Sequence, residues 1–541
     1  MKKSLFFVFW MALLGGPLAA QNVIEVSGEY YGHVLWNADT VRVVGDVLIT
    51  EGVDGLRSSA RLQVNAGTSV VAQGHYKITV LNGTLVARGT EDAPIVFTAQ
   101  NPSSGWQGLH VLTEGSEKDT LLMEYCTISH AKMTAQIPED ERNGAGLYLS
   151  NASHGFKYCR LSHCTIAHNK TLTSSGQNGN KGGGLFLHNP GTCLIEHCRF
   201  EDNQAYSGGA LVLSGLRHLN VKNCEFVGNL ADAGSALFMH MGEVSLGANG
   251  PEVCNNYIHG NHGNAVYLAW DVSTGKFHDN VIVNNEGRTP LIGATSPNAS
   301  LYYNNTIVLN QSSGFMDDQV GGIWTIGQQK IFNNIVYGNG ASFSFGERQI
   351  GFDHFYGDPT IFNNCFSYYH NYPGSVYGEP EFVSPSFGLG STYDLPDADW
   401  SLQPTSPCIN AGSTNMSGYP STDFYGNPRI KDGVIDIGAT EFQGFEAVNE
   451  MQSAPLFKVY PNPGTDRLNI MAVAEQPFSV SVYDLTGRLV FFSESASPLT
   501  EIDTEEWPSG MYFWKINVGP STLQQTQGSE AIVETGKWIK Q

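Results

Sequence analysis

A six-residue pattern of polar and apolar positions recurs seven times between Cys164 and Asn339. Each copy opens with Cys or Asn, has a large apolar residue at its third position and closes with Asn at its sixth. Successive closing residues lie 24 to 34 positions apart, which is typical of a solenoid with one coil per repeat and insertions in its loops. The closing residues are Asn169, Asn203, Asn229, Asn261, Asn285, Asn310 and Asn339.

Alternation within each copy predicts a strand with one face inside the coil. The first and third positions point the same way in a strand, and Ile, Phe or Val at the third marks that face as the interior. A second apolar phrase precedes several copies, as in Gly144–Leu149, Gly183–Leu187 and Gly208–Leu213. Each coil should therefore contain at least two short strands, and successive coils should stack in parallel about 4.8 Å apart.

The column of closing Asn residues has a physical explanation in such a stack. We expect Asn at a coil corner because it tolerates left-handed backbone angles. Its amide can also hydrogen bond to the Asn above and below, which satisfies polar groups that a buried turn would leave unpaired. The sequence therefore predicts a structural Asn ladder.

Short apolar strands also fill the first hundred residues, for example Val41–Val44 and Ile95–Phe97. The whole pattern resembles the right-handed parallel β-helix family. The resemblance implies an all-β fold, with a β-helix over residues 21–375. Three pieces resemble the repeats of bacterial polymorphic outer-membrane proteins: Phe200–Asn203, Gly208–Leu211 and Phe226–Asn229.

The repeat pattern of the sequence ends after the last coil. Tyr377–Phe382, Trp400–Gly412 and Asp423–Glu441 resemble the closing segment that follows β-helices in secreted bacterial proteins of the choice-of-anchor type. We expect this segment, residues 376–442, to cover the open end of the last coil, whose edge could otherwise pair with other chains. Residues 443–455 are interpreted as a linker.

A small β domain is predicted over residues 456–541. Val459–Gly464, Ser479–Val490 and Ser509–Ile516 closely resemble the C-terminal sorting domain of the type IX secretion system of Bacteroidetes. The resemblance implies a small Ig-like antiparallel β-sandwich that engages the type IX secretion machinery. It also implies passage across the outer membrane, removal of this domain, and release or attachment to the cell surface.

The other terminus predicts export as well. Residues 1–20 combine a basic start, an apolar middle and small final residues, which is typical of a secretory signal cut after Ala20. No later segment is apolar enough to predict a membrane span. The net charge of −22 argues against nucleic acid as a partner, because an acidic surface repels phosphates.

Nine cysteines in an exported chain raise the question of disulfides. The odd number excludes complete internal pairing. Cys164, Cys198 and Cys224 occupy the inward first position of the repeat, and Cys126 stands upstream in the same column; parallel stacking gives poor disulfide geometry there. We expect buried free thiols that pack as small apolar residues.

One basic cluster is the best candidate for chemistry, although no catalytic residue is assigned. It contains Lys157, Arg160, His163, His197 and Arg199. His163 and His197 each precede the inward Cys, so they should face outward on adjacent coils. Such a cluster could hold a polyuronate for a lyase; the alternative is an ordinary solvated face, which we favour.

No cofactor is predicted, although calcium is possible. Asp432 and Asp436, with Asp423 and Glu441 nearby, could supply oxygen ligands, but they miss the spacing of a known calcium loop. Turn and end-cap roles fit them better.

Two functions remain open from the sequence. The first is a secreted or surface-attached β-helix that binds glycan or another surface, with outward aromatic residues such as Tyr148, Phe186 and Tyr267 suited to sugar rings. The second is a polysaccharide lyase, hydrolase or epimerase that acts on acidic polysaccharide along the same face. We favour the binding protein.

Overall fold

The chain divides into two compact units, Met1–Gly444 and Phe445–Gln541. Within the residues described below, the secondary structure consists of strands and short 3₁₀ turns, at Glu139–Glu141 and Ser391–Tyr393 among others, without an α-helix. The computed structural model describes residues 22–52, 59–113, 120–151, 158–174, 179–215, 218–240, 250–263, 267–270, 274–287, 292–295, 300–312, 320–341, 349–354, 357–416, 418–444, 457–461, 464–472, 478–485, 487–495, 499–518 and 532–540. The signal segment, including Ala20, and most of the predicted linker lie outside these ranges.

The first unit is a parallel β-helix, in which strands from successive coils form long parallel ladders. In the described part of the chain, the first ladder contains twelve strands in sequence order. Similar residues are register partners in adjacent coils, for example Cys159 and Cys193. Its strands are His33–Trp36, Ala60–Val64, Gly83–Arg88, Thr120–Glu124, Tyr158–Ser162, Thr192–Glu196, His218–Lys222, Glu252–Cys254, Lys276–His278, Leu301–Tyr303, Lys330–Phe332 and Thr360–Phe362.

The second ladder contains the predicted repeat. Its third-position residues point inward and stack, as Phe200 and Phe226 do with ring centroids 4.7 Å apart. The two long strands at its start also belong to the third ladder. The strands are Val23–Tyr31, Thr40–Thr50, Ser69–Ala72, Ile95–Ala99, Cys126–Ser129, Thr165–Ala167, Arg199–Glu201, Glu225–Val227, Tyr257–His259, Val281–Val283, Thr306–Val308, Ile335–Tyr337, Cys365–Phe366 and Val376–Tyr377.

The third ladder contains the predicted Gly-Leu phrases. In several coils, a two-residue strand of a fourth ladder lies between the second and third ladders. Third-ladder strands are Ile78–Leu81, Leu109–Thr113, Leu147–Asn151, Leu185–His188, Leu211–Ser214, Leu237–His240, Tyr267–Trp270, Ile292–Thr295, Ile323–Ile326 and Ile350–Asp353; fourth-ladder strands are Leu230–Ala231, His262–Gly263, Glu286–Gly287, Gln311–Ser312 and Gly340–Ala341.

The closing Asn residues form a continuous buried hydrogen-bonded column. Each side-chain amide donates to the Oδ1 atom of the Asn in the next coil, for example Asn203 to Asn229 at 3.1 Å. The backbone N–H of Asn203 donates to the same oxygen, and the amide also donates to the carbonyl of Ile166. The column continues from Asn169 to Asn339 and ends on Gln349.

The backbone explanation offered for this column is wrong in one respect. The left-handed residue is the one before each closing Asn, such as His168 with φ of 57° or Asn284 with φ of 52°. The outward corner residue therefore has the positive φ, and the ladder Asn turns inward. Its amide can then reach the adjacent coils, which the corner residue cannot.

A second Asn ladder occupies the opening position of the later repeats. The buried Cys column ends at Cys224, whose backbone N–H donates to Oδ1 of Asn256. The amide of Asn256 then donates to Asn280 at 2.9 Å. One inward column is thus apolar in the earlier coils and polar but hydrogen bonded in the later ones. The further members are Asn305, Asn334 and Asn364.

The segment 376–442, which was expected to cover the open end of the last coil, does not simply close the tube. Val376–Tyr377 adds a last strand to the second ladder, and Tyr372 and Tyr377 pack against the main core there. The following segment, which we call the strap (residues 382–442), turns back along the outer face of the second ladder. Its Trp400, Leu402 and Ile437 pack against outward residues of four coils: Val281, Val283, Val308, Ile335 and Cys365.

Side-chain amides at the coil corners anchor the strap. Asn333 donates to the carbonyl of Ser413 at 3.0 Å, and the backbone N–H of Gly438 donates to the carbonyl of Asn333 at 2.8 Å. The strap covers this face because the outward residues are apolar there, and burying each of them stabilises the fold by about 1.5–3 kcal/mol. Further bonds join Asn255 to Asp423, Asn284 to Gly388 and Asn363 to Ala411.

The second unit is an antiparallel β-sandwich. Residues from both of its sheets, including Leu468, Val480 and Trp538, share one core. This agrees with the predicted fold class. One sheet contains Phe457–Tyr460, Arg467–Ala472 and Leu499–Asp503, and the other contains Phe478–Tyr483, Leu489–Ser495, Gly510–Val518 and Ile532–Lys540.

Candidate binding site

The predicted basic cluster is held in ion pairs. Arg160 bridges Glu124 and Glu196, with nitrogen–oxygen distances of 2.8 Å to each. Arg199 pairs with Glu201 at 3.0 Å and also with Glu225. These carboxylates neutralise the two guanidinium groups, so the cluster is not an open cationic surface for a polyuronate. Lys157 lies outside the described residues.

His163 and His197 are exposed corner residues, as expected from the repeat. Their rings stack with centroids 4.8 Å apart, and His163 also stacks on Tyr125. Both have φ of 53°, and later coils carry Asn at the equivalent corner, for example Asn223 and Asn255. Burial and the charge of His163 lower the pKa of His197. Turn geometry and stacking are sufficient to explain these side chains.

The calcium candidates are not arranged as ligands of one ion. Asp432 is exposed in a tight turn with φ of 54°. Asp436 is fully buried, and its carboxylate accepts hydrogen bonds from the backbone N–H groups of Asn410 and Phe442. Among the described residues, no group of three or more His, Cys, Asp or Glu side chains could hold a metal ion.

A buried ionic network connects the strap to the coils. Arg429 pairs with Asp279 and with Glu441 at 3.3 Å, and all three residues are buried. Burial and the nearby charge of Asp436 raise the pKa of Glu441 to about 8. This network attaches the strap to the β-helix.

A trough on the outer face of the third ladder is the better candidate site. It has a volume of about 600 Å³ and crosses the first coils. Its floor is a column of outward residues that the strand register places one above another: Glu29, Leu48, Thr79, His110 and Tyr148. Four coil spacings make this column about 20 Å long.

Aromatic rings define the C-terminal end of the trough. The rings of His110 and Tyr148 meet edge to face at 5.8 Å, and Tyr148 stacks on Phe186 at 5.5 Å. Tyr148 stays half-exposed, whereas Phe186 is buried. Of the predicted outward aromatic residues, Tyr148 therefore faces the trough and Phe186 does not; the side chain of Tyr267 lies outside the described part of the structure.

Charge on the trough is predominantly negative. Glu29, Asp46, Asp140 and Glu141 line it, with Lys77 as the cation. Lys77 pairs with Glu141 at 3.0 Å. Burial lowers the pKa of His110 to about 4, so this imidazole is neutral at pH 7.

Sequence reasoning identified Tyr148 but missed its neighbours in the trough. A signal for them existed, because His110 follows Leu109 just as Tyr148 follows Leu147 in the Gly-Leu phrase. Glu141 carried no comparable signal, since a loop insertion brings it to the trough.

Comparison with known families identifies two regions of the chain. Residues 100–249 match the family model described as right handed beta helix region. Residues 458–527 match the model described as secretion system C-terminal sorting domain. No curated protein matches the chain. Of the residues that the structure describes, none form a helix long and apolar enough to cross a membrane.

These matches and the fold define the class of protein. It is a right-handed parallel β-helix protein with a C-terminal sorting domain of the type IX secretion system. The sorting domain directs the chain to that secretion machinery. The protein is therefore exported, for secretion or for attachment to the cell surface.

Proposed function

We propose that this exported protein binds a glycan chain in the trough on its third ladder, and that the glycan is neutral or carries amino sugars. The observation that supports this most directly is the half-exposed Tyr148 at the end of a 600 Å³ trough lined with carboxylates. An aromatic face packs against the C–H groups of a sugar ring. Carboxylates accept hydrogen bonds from its hydroxyl groups.

Dimensions of the trough support a linear ligand. The floor crosses successive coils about 4.8 Å apart, so it is long enough to contact several consecutive units of an extended chain. An open trough of this kind suits internal stretches of a polymer, because neither end of the ligand needs to be enclosed.

Charge decides between classes of glycan. Four carboxylates against one paired lysine would repel a polyuronate, whereas protonated amino groups would be attracted. The rival function, an enzyme on acidic polysaccharide, depended on the basic cluster around Arg160, whose cations are already paired. The trough therefore favours binding over that rival.

Binding can be tested with the exported protein and a panel of soluble glycans. The panel contains neutral chains, chitosan oligomers as amino-sugar chains, and polygalacturonate and alginate as polyuronates. Calorimetry should detect neutral or amino-sugar chains and no polyuronate. Tyr148→Ala should weaken binding about tenfold or more, since it removes the stacking surface. Tyr369→Ala, at a tyrosine that is 73% exposed and far along the chain from the trough, is the matched control and should bind normally.

A second variant distinguishes a neutral glycan ligand from an amino-sugar ligand. Asp46→Asn combined with Asp140→Asn should weaken chitosan binding much more than the binding of neutral chains, because each amide keeps an oxygen that accepts hydroxyl hydrogen bonds but loses the negative charge that attracts an amino group. Preferential binding of polyuronate, or unchanged affinity in Tyr148→Ala, would contradict the proposal. Shortened or unsaturated products in the same incubations would support the enzyme instead.

A further inference from the structure

Two of the nine cysteines meet across the boundary between the coils and the strap. Cys365 opens the strand Cys365–Phe366 and points outward, because it aligns with Ile335 on the outer face of the second ladder. Cys408 lies in a turn of the strap. Both side chains are fully buried and belong to the same apolar cluster.

One hydrogen bond joins the coil to the strap close to both cysteines, and a second fixes Cys408 within the strap. Asn363, two residues before Cys365, donates to the carbonyl of Ala411 at 3.0 Å, and the carbonyl of Cys408 accepts from the backbone N–H of Ile437 at 3.0 Å. Interaction with the Cys408 thiol, together with burial, raises the pKa of Cys365. Cys365 and Cys408 are therefore neighbours in one buried cluster, and the same kind of thiol–thiol interaction raises the pKa of Cys126 and Cys193 in the coils.

The other stacked thiols differ in geometry. Cys159 and Cys193 are register partners on adjacent parallel strands, and Cys126, Cys164, Cys198 and Cys224 stack in the inward column of the second ladder. Side chains of register partners on parallel strands point the same way, so their Cβ atoms lie about as far apart as the strands, about 4.8 Å. A disulfide requires a shorter Cβ separation of about 3.5–4.5 Å. Cys408 belongs to a turn without strand pairing, so no ladder register holds it away from Cys365.

We infer that Cys365 and Cys408 form a disulfide in the exported protein, and that this bond locks the strap onto the β-helix. Export takes the chain out of the reducing cytoplasm, where thiols stay reduced, into a compartment where disulfides persist. The other seven cysteines stay as thiols. Both residues precede the sorting domain, so removal of that domain would leave them in the mature chain.

The oxidation requires an external acceptor, for which a thiol–disulfide oxidoreductase of the cell envelope is the chemical class. One thiolate attacks the disulfide of that enzyme and forms a mixed disulfide. The second thiol loses its proton and displaces the enzyme, which leaves as a dithiol with the two electrons. Because both side chains are buried after docking, this exchange must precede the closing of the strap.

Alkylation and mass spectrometry test the bond on exported wild-type protein. The sample is denatured at harvest with a thiol alkylating reagent and without reductant, then digested. We expect seven of the nine cysteines to be alkylated, and one cross-linked peptide pair that contains Cys365 and Cys408. Prior reduction should give nine alkylated cysteines.

Two variants show what the bond does to the strap. Reductant should lower the melting temperature of wild-type protein and leave that of Cys408→Ala unchanged. Cys193→Ala is the matched control, because it removes a buried thiol of the coils and should keep the response to reductant. Alkylation of all nine cysteines in unreduced exported protein would overturn the inference, and so would a cross-link between any other pair. Neither result depends on the folding of a variant.

Discussion

The outer face of the second ladder is bare in the earlier coils and covered in the later ones. In the strands Arg199–Glu201 and Glu225–Val227, the outward residues are half-exposed, and the charged ones form ion pairs. In Val281–Val283 and Thr306–Val308, the outward residues are buried under the strap. The backbone pairing is parallel and continuous through both regions.

This difference shows that the two faces of one strand are specified separately. Inward residues such as Phe226 and Ile282 remain apolar in both regions and specify the coil. Outward residues determine whether another segment can dock, because an apolar outer face gains free energy by burial whereas a charged face would lose hydration.

The buried ionic network should give the largest stability difference between the two regions. Arg429→Met leaves Asp279 and Glu441 buried without their guanidinium partner, so the free energy of unfolding should fall by about 3–5 kcal/mol. Arg199→Met in the bare region removes only half-exposed pairs and should cost about 1 kcal/mol or less. Denaturant unfolding followed by tryptophan fluorescence, to which the buried Trp400 of the strap contributes, measures both. Equal losses would contradict the comparison.

The interior Asn ladder should be insensitive to the strap. Replacing a ladder Asn should therefore cost the same free energy of unfolding in both regions, and less than removing Arg429. Asn203→Ala in the bare region and Asn285→Ala in the covered region each remove a buried acceptor of two hydrogen bonds. Each should cost about 2–3 kcal/mol. The exposed Asn220 is the control, and its replacement by Ala should stay within about 0.5 kcal/mol. A much larger loss at Asn285 would show that the strap and the ladder are coupled.

A third comparison concerns the pH dependence of stability. Folding raises the pKa of Glu441 from 4.5 to about 8, so the folded state holds this proton more tightly. That contribution is complete below pH 4.5 and is lost as pH rises towards 8. Glu441→Gln should therefore flatten the decline of melting temperature over this window.

Glu225 in the bare region supplies a control, because its contribution to stability depends on pH in the opposite direction. Hydrogen bonding to His259, with help from Arg199, lowers the pKa of Glu225 to about 2. Its contribution is present above pH 4.5 and is lost as pH falls towards 2. Glu225→Gln should flatten only the acid side of the profile, and a change on the alkaline side would argue against the assignment to Glu441.

Much of the β-helix could be predicted because its signals are local and repeated. The period of the closing Asn residues, the inward apolar positions and the sorting domain all follow from short phrases. The left-handed corner was misplaced by one residue, since a pattern shows which positions are polar and not their φ angles. The carboxylates that pair with Arg160 were missed because Glu124 and Glu196 each lie 36 positions away.

The candidate site was less predictable than the fold. Tyr148 carried the signal of an outward aromatic residue, but the trough also needs Lys77 and Glu141, which are 64 positions apart and come from different coils. The path of the strap was inferred from its place after the last coil, whereas the apolar outer faces of Val281 and Ile335 determine it.

The sequence alone determined the repeating coil, because side chains at fixed spacing must point inward to bury apolar surface and pair their amides. Only the tertiary structure decided where the strap lies, which charges are neutralised and where a trough stays open. These properties depend on contacts between residues of different coils and loops, and no local pattern records the free energy of bringing them together.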